Sequence, residues 1–299
     1  MSGMPPERSR VICLGRTYCD IIFTGLQEMP ALGRERFAQE VTIAAGGGAY
    51  ITAAHLSALG RPAVLLTRLG NDPLSRSLDG ELLASGIDLS FIERSGDAGP
   101  QPTVALIKDG ERAFVSRRAG SSRPSTLEQA LSARHAAHLH IAEFATLKDN
   151  PDVIALARKL GLTISLDPSW DDELIRQDAS FFEICTGVDV FLPNVEEGKA
   201  LTGESSEEAI LRRLQETFPL VVLKRGEWGA TASCERIRVS ADALPVNVVD
   251  TTGAGDAFNA GFLHSWLRTS DLERSLTAGI EAGALSVQSA GGAPPRPTS

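Results

Sequence analysis

Cysteine is scarce in this 299-residue chain: four are present (Cys13, Cys19, Cys185, Cys234), and no two form a C-x-x-C pair. The five histidines show no spacing that completes a zinc site, so neither a disulfide framework nor a structural zinc module has support. Reduced, structural thiols in a cytosolic protein are the expectation. Aromatic residues are only 5%, too few for the stacking platforms that hold single strands. Basic residues number 29 against 38 acidic ones, for a formal charge of -9. They are scattered rather than gathered into a stripe, which argues against nucleic-acid binding. No run reaches the ~18 apolar residues of a membrane span, and Met1 to Arg10 has two prolines and mixed charge without an apolar signal-peptide core. A cytoplasmic protein with no nucleic-acid and no membrane partner follows as the expectation.

What is present describes a globular chain. Hydrophobic residues make up 42%, charged residues 22%, and mean hydropathy is -0.03, outside the disordered, collagenous and coiled-coil ranges. Short apolar runs (11–14, 63–66, 162–166, 188–192, 220–223) alternate with helical patterns, the rhythm of βαβ units in an α/β fold. S-x-x-E at Ser125 to Glu128, Ser205 to Glu208 and Ser270 to Glu273 predicts three capping boxes. Asn150-Pro151 predicts a cap and first turn closed at Gly161, and Leu74, Leu78 and Leu82 form a stripe closed by Gly86. Two alternating runs, 103–107 and 112–116, flank Asp109-Gly110, a hairpin signal. With an extended stretch from Phe37 to Ile43 they predict a small antiparallel sheet.

The segment Asp250 to Phe258 carries the most chemistry. Gly253, Ala254 and Gly255 precede a helical spacing of Phe258, Phe262, Leu263, Trp266 and Leu267. They therefore lie at a helix N-terminus, where free N–H groups and the dipole make an anion site. Asp256 in the first turn is a carboxylate beside that site, suited to take a proton from an alcohol during phosphoryl transfer. A Walker G-x-x-x-x-G-K-[ST] pattern is absent, and Phe258 occupies the third-glycine position of a Rossmann G-x-G-x-x-G.

Asp250 to Asp256 resembles the C-terminal signature of the PfkB, or ribokinase-like, family of carbohydrate kinases, and further segments follow in family order along nearly the whole chain. The resemblance implies a ribokinase-like three-layer α/β/α sandwich with a mostly parallel sheet. It implies one kinase domain over 1–299, with a small β lid from about 15–44 and 96–118. The implied activity is ATP- and Mg2+-dependent phosphorylation of a sugar hydroxyl, with Asp256 as base and residues 253–255 as anion hole. Gly46-Gly47-Gly48, ending in Leu59-Gly60, is similar to the family's N-terminal signature, so Gly46 and Gly47 would touch the sugar, although Ile51 stands where the family has Asn. Asp20 would bind sugar hydroxyls, and Glu143, after the 138–142 strand, would join it. Gly70-Asn71-Asp72 resembles an architectural turn of the family, with Ser75 for its last glycine.

On the nucleotide side, Asn194 and Glu197 match N-x-x-E, with Glu197 holding the water shell of magnesium. Lys224, Gly226 and Gly229 resemble the strand-turn that lies against ATP, and Ile280 the adenine-side helix. The resemblance also brings a monovalent cation (K+) near Asp250 and a homodimer through the lid. A nucleoside kinase, a 2-keto-3-deoxygluconate-type sugar-acid kinase, which Arg117 and Arg118 leave open while Glu143 leans toward a neutral sugar, and a non-catalytic sugar or nucleotide binder are the competing readings.

Overall fold

The computed structural model describes residues 9–108, 111–171, 180–235, 237–289 and 291–294. In chain order the strands are β1 (Arg10–Leu14), β2 (Tyr18–Thr24), β3 (Glu40–Gly46), β4 (Ala63–Leu66), β5 (Arg68–Leu69), β6 (Glu93–Arg94) and β7 (Pro102–Lys108). They continue with β8 (Glu111–Ser116), β9 (Ala136–Ile141), β10 (Thr163–Leu166), β11 (Val190–Phe191), β12 (Leu220–Lys224), β13 (Ala230–Cys234) and β14 (Ile237–Ala241). The eight-stranded main sheet has the order β14-β13-β12-β11-β10-β9-β1-β4. It is parallel from β4 to β12, and β13 and β14 add an antiparallel edge.

Because side chains alternate across a strand, each central strand feeds two cores. Ile12, Leu14, Leu139, Ile141, Ile164 and Leu166 point to one face, which the helices Leu127–Leu131, Val153–Lys159 and Glu207–Leu214 cover. Val11, Cys13, Val190, Leu192, Leu220 and Val222 point to the other, against the helices Gly48–Ala58, Ala254–Thr269 and Leu272–Ser286. The result is the three-layer α/β/α sandwich. The segments that follow the carboxyl ends of the parallel strands β1, β9, β10 and β12 lie on one rim, where open α/β sheets bind ligands.

The last two helices form a close pair. Phe258, Phe262 and Trp266 stack along one side, and a Cβ on Gly261 would collide with the carbonyl oxygen of Ala278.

A second sheet, β3-β2-β7-β8, stands beside the first. The runs expected at 103–107 and 112–116 pair antiparallel as β7 and β8, and Asp109-Gly110 between them lies outside the described residues. The strand expected at 37–43 lies at Glu40–Gly46 and runs directly into the glycines. It pairs with β2 and not with the hairpin, and because β2 joins β7 in parallel the sheet is mixed rather than the expected antiparallel one. An apolar row, Ile43, Ile21, Val104 and Val115, crosses all four strands, with Ile43 and Val115 exposed at its ends.

The three expected capping boxes are corrected by the structure. Ser270 has left-handed backbone (φ 52°) and closes the preceding helix, so the carboxylate of Asp271 caps the next one through Arg274 N. Ser206, which has the extended backbone of a cap, accepts from Ala209 N in place of Ser205. Ser125 instead donates its amide to Glu93, and its helix begins at Leu127. Asn150 closes the helix before it, through Nδ2 to Thr146 O at 2.8 Å, and the following helix starts at Val153. The Leu74 to Leu82 stripe is broken at Leu78 into two short helices.

Candidate active site

The helix Ala254–Thr269 is preceded by Gly253 in left-handed conformation (φ 70°), with Gly292 Cα 2.6 Å from where a Cβ would be. Both conformation and contact require glycine here. Ala254 N turns back to Thr251 O at 3.3 Å. Gly255 and Asp256 follow in the first turn, where an amide has no carbonyl partner within the helix. Of the expected 253–255 stretch, Ala254 N is thus turned back into the loop, while the first-turn amides of Gly255 and Asp256 have no partner inside the helix.

Asp256 faces the start of another helix. A Cβ on Gly48 would sit 2.7 Å from Asp256 Oδ1, and Thr52 donates to the Asp256 carbonyl oxygen at 3.3 Å. Burial, reinforced by the negative charge of Asp167 and opposed by Lys224, pushes the Asp256 carboxyl up to about 7.

The glycine run ties this carboxylate to the small sheet. A Cβ on Gly46 would overlap the carboxylate of Asp20, one on Gly47 would lie 3.2 Å from the Tyr18 ring, and Gly48 meets Asp256. Three consecutive residues without side chains therefore bring Asp20, Tyr18 and Asp256 along one line. Asp20 is raised to about 7, by burial first and by the nearby Glu81 second. Ile51, at the expected Asn position, is buried beneath the helix and fills the space beside Gly253 and Gly292.

Sequence reading missed the buried pair beneath the anion site. Lys224 donates from Nζ to Asp167 Oδ2 at 2.5 Å, and Asn259 Nδ2 reaches the same oxygen at 2.6 Å. Burial opposes the Lys224 charge, but Asp167 and Glu197 outweigh it and raise its pKa. Lys224 Nζ lies 3.3 Å from the position of a Cβ on Gly255, so the ammonium runs directly under the first turn. Asp167 follows β10 at its carboxyl end, a positional signal that could have found it. His138 and His140 are bonded to Ser165 Oγ at 2.8 Å each within the same layer, which accounts for two of the five histidines without a metal.

Asn194 and Glu197 form a true capping box. Asn194 Oδ1 accepts from Glu197 N at 2.8 Å, and Glu197 Oε2 accepts from Asn194 N at 2.7 Å. Glu197 is buried, and that burial together with Asp167 pushes its carboxyl up to about 7 against the pull of Lys224. Among the described residues no group of three or more His, Cys, Asp and Glu is placed to hold a metal.

Two cavities flank the line. One, of about 600 Å³, is lined by Lys224, Gly226, Gly229, Ala254, Gly255 and Ile280, with Val246, Val248, Phe258 and Val287 as apolar walls. The other, of about 520 Å³, is polar and lined by Tyr18, Thr103, Ser116, Arg118, Glu143, Ser169 and Trp170. Burial raises Glu143 to about 7, while Arg118 and Arg16 pull it down. Arg118 also pairs with Asp171, whereas Arg117 is turned to the carbonyl of Pro100. Asp20, Gly46 and Gly47 line neither cavity, and Gly46 is the ladder partner of Tyr18, which does line the polar one.

The chain is similar to known proteins in sequence and in fold. A 2-dehydro-3-deoxygluconokinase of Bacillus subtilis is 30% identical over 287 residues, covering 90% of this chain and 86% of that one. An Arabidopsis thaliana ribokinase solved with ribose and ATP superposes with a TM-score of 0.79 at 22% identity, covering 96% of both chains. An E. coli protein of the ribokinase type, solved with ATP and Mg2+, gives 0.78 at 22% identity over 95% of this chain and 94% of its own. No helix among the described residues is long and apolar enough to cross a membrane. Residues 8–299 match the model of the pfkB family of carbohydrate kinases, and the chain belongs to that family of phosphotransferases acting on a sugar hydroxyl.

Proposed function

We propose that the protein transfers the γ-phosphoryl group of ATP to a hydroxyl of a monosaccharide, ribose, a ketohexose or a related sugar. The observation that carries this reading is the position of Asp256. Its neighbour Gly255 lines the apolar cavity, and its carboxylate feels the charge of Glu143, which lines the polar one. The apolar walls around Ile280 suit a purine. Lys224 and the turn at Gly226 and Gly229 lie toward its phosphates, with Asn194 behind them.

The sugar hydroxyl, directed from the Tyr18 and Glu143 side with Asp20, Gly46 and Gly47 supporting that wall, gives its proton to Asp256. Amides of the first turn meet the charge that develops on the transferring group, donors already in place before reaction. Magnesium bound with ATP neutralises phosphate charge. Glu197 suits its water shell, because one carboxylate oxygen is tied to Asn194 N while buried negative charge near Asp167 is under-compensated. Glu197→Gln keeps the capping box, since Gln also serves it. The variant is expected to raise the magnesium concentration for half-maximal rate about 10-fold or more, with the sugar KM unchanged. An unaltered magnesium titration removes Glu197 from the site.

A sugar acid is the second reading, favoured by the Arg118 guanidinium in the polar cavity and by the similarity to 2-dehydro-3-deoxygluconokinase. ADP release on a panel of neutral sugars, sugar acids, sugar phosphates and nucleosides separates the two, and also tests nucleoside kinase activity. No turnover on any of them overturns the kinase reading. A second copy of the chain is proposed to dock on the small sheet, where Val41, Ile43 and Val115 are exposed.

A further inference from the structure

The loop that leads into the first turn is gripped from the small sheet. Arg112, on β8, donates to Thr252 Oγ1 at 3.0 Å and to Thr251 Oγ1, and its guanidinium lies 3.5 Å from Asp250 Oδ1. The Asp250 side chain is only 8% exposed. Its carboxylate also accepts from Thr252 N at 2.9 Å, Thr252 Oγ1 at 2.7 Å and Gly291 N at 3.0 Å. Burial works against that charge, but the donors from Gly291 and Thr252 and the field of Arg112 outweigh it and hold the carboxyl below its usual range.

Three hydrogen-bond donors and the Arg112 guanidinium face this carboxylate, and Oδ1 takes two of the donors and the guanidinium. The monovalent cation that the family resemblance brings near Asp250 does not fit these residues. It would have to settle on this carboxylate beside a guanidinium of like charge. We propose that Arg112 stands in for that cation. It is a positioning residue: by holding Asp250, Thr251 and Thr252 it fixes the Gly255 and Asp256 amides, and the site assembles only with β8 in place. The inference rests on the reading of that turn as the phosphoryl-binding site.

The test compares wild type, Arg112→Ala and Arg112→Lys in potassium, sodium and choline chloride at equal ionic strength. It reads kcat on the sugar found in the panel, and Tm in the presence of a non-hydrolysable ATP analogue. Wild type is expected to give the same kcat and Tm in all three salts. Arg112→Ala should lose about 10- to 100-fold in kcat in choline chloride and recover it with potassium or with added guanidinium. Arg112→Lys should fall between them. A wild-type requirement for potassium overturns the proposal, and so does an Ala variant that matches wild type. A folded Ala variant rescued by neither ion also overturns it, because Arg112 would then act only by packing over the Phe114 ring, 5.8 Å away. If no sugar is phosphorylated, the kinase reading falls while Tm still decides this one. Recovery of the Ala variant by potassium or guanidinium, in salts where wild type does not change, supports Arg112 as the cation's replacement.

Discussion

Asp256→Asn is expected to fold, to bind ATP as wild type does and to lose about 10² to 10⁴ in kcat, the usual worth of general base catalysis. The loss should fall on kcat with little change in KM, since the proton moves only on the way to the transition state. Asn keeps the size and the contact with Gly48 but has no proton affinity to offer. The base must be unprotonated to act. With its carboxyl pushed up to about 7, the wild-type rate should fall as pH drops below about 7 and level off above it. Glu143 and Glu197 are raised to the same region and share the field of Asp256, so the limb belongs to an interacting set rather than to one group. In the Asn variant the remaining activity should lose most of that limb. A folded variant with wild-type kcat and an unchanged profile would reduce Asp256 to a first-turn helix residue.

Lys224→Met should be the most destabilising single change in the site. Asp167 is 7% exposed at its side chain and Lys224 12%, so removing the ammonium strands a buried carboxylate. Breaking such a pair costs about 3–5 kcal/mol, a large share of the ~5–15 kcal/mol that holds a typical domain together. Urea denaturation should show a lower midpoint at unchanged slope. Adding Asp167→Asn should recover much of the loss, because the buried negative charge left without its cation is then gone. A single variant within about 0.5 kcal/mol of wild type, the range of an ordinary surface change, would mean that Asn259 and the Ser169 amide suffice to hold the Asp167 charge.

Much of the site could be read from the chain because it is local. Gly253 to Asp256 are consecutive, and the small residues, the first-turn carboxylate and the apolar spacing after Phe258 together define a helix start without tertiary knowledge. Asn194 and Glu197 were legible for the same reason, one helical turn apart. Asp167, Asn259 and Arg112 were not. Asp167 and Asn259 meet Lys224 across 57 and 35 residues, and Arg112 meets the Thr252 loop across 140, so only the sheet order brings them together. The strand-helix rhythm and the hairpin around 109–110 follow from alternation and were visible. The helix starts were less so. Ser270 and Asp271 compete for one cap, and the choice turns on which residue must also close the helix before it, which an S-x-x-E pattern does not encode.

The contact between Gly261 and Ala278 has a mechanical meaning. Two helices whose backbones touch at that point have no room to slide or roll without collision, so the Ala254–Thr269 helix is anchored like a beam bolted partway along its length. Its first residue lies seven positions away, about 10 Å at 1.5 Å per residue. A tilt of only a few degrees at the bolt would displace the far end by several tenths of an ångström. On the proposed reading, the placement of Gly255 and Asp256 at the reacting atoms therefore depends on a carbonyl and a missing methyl group that never approach the substrate.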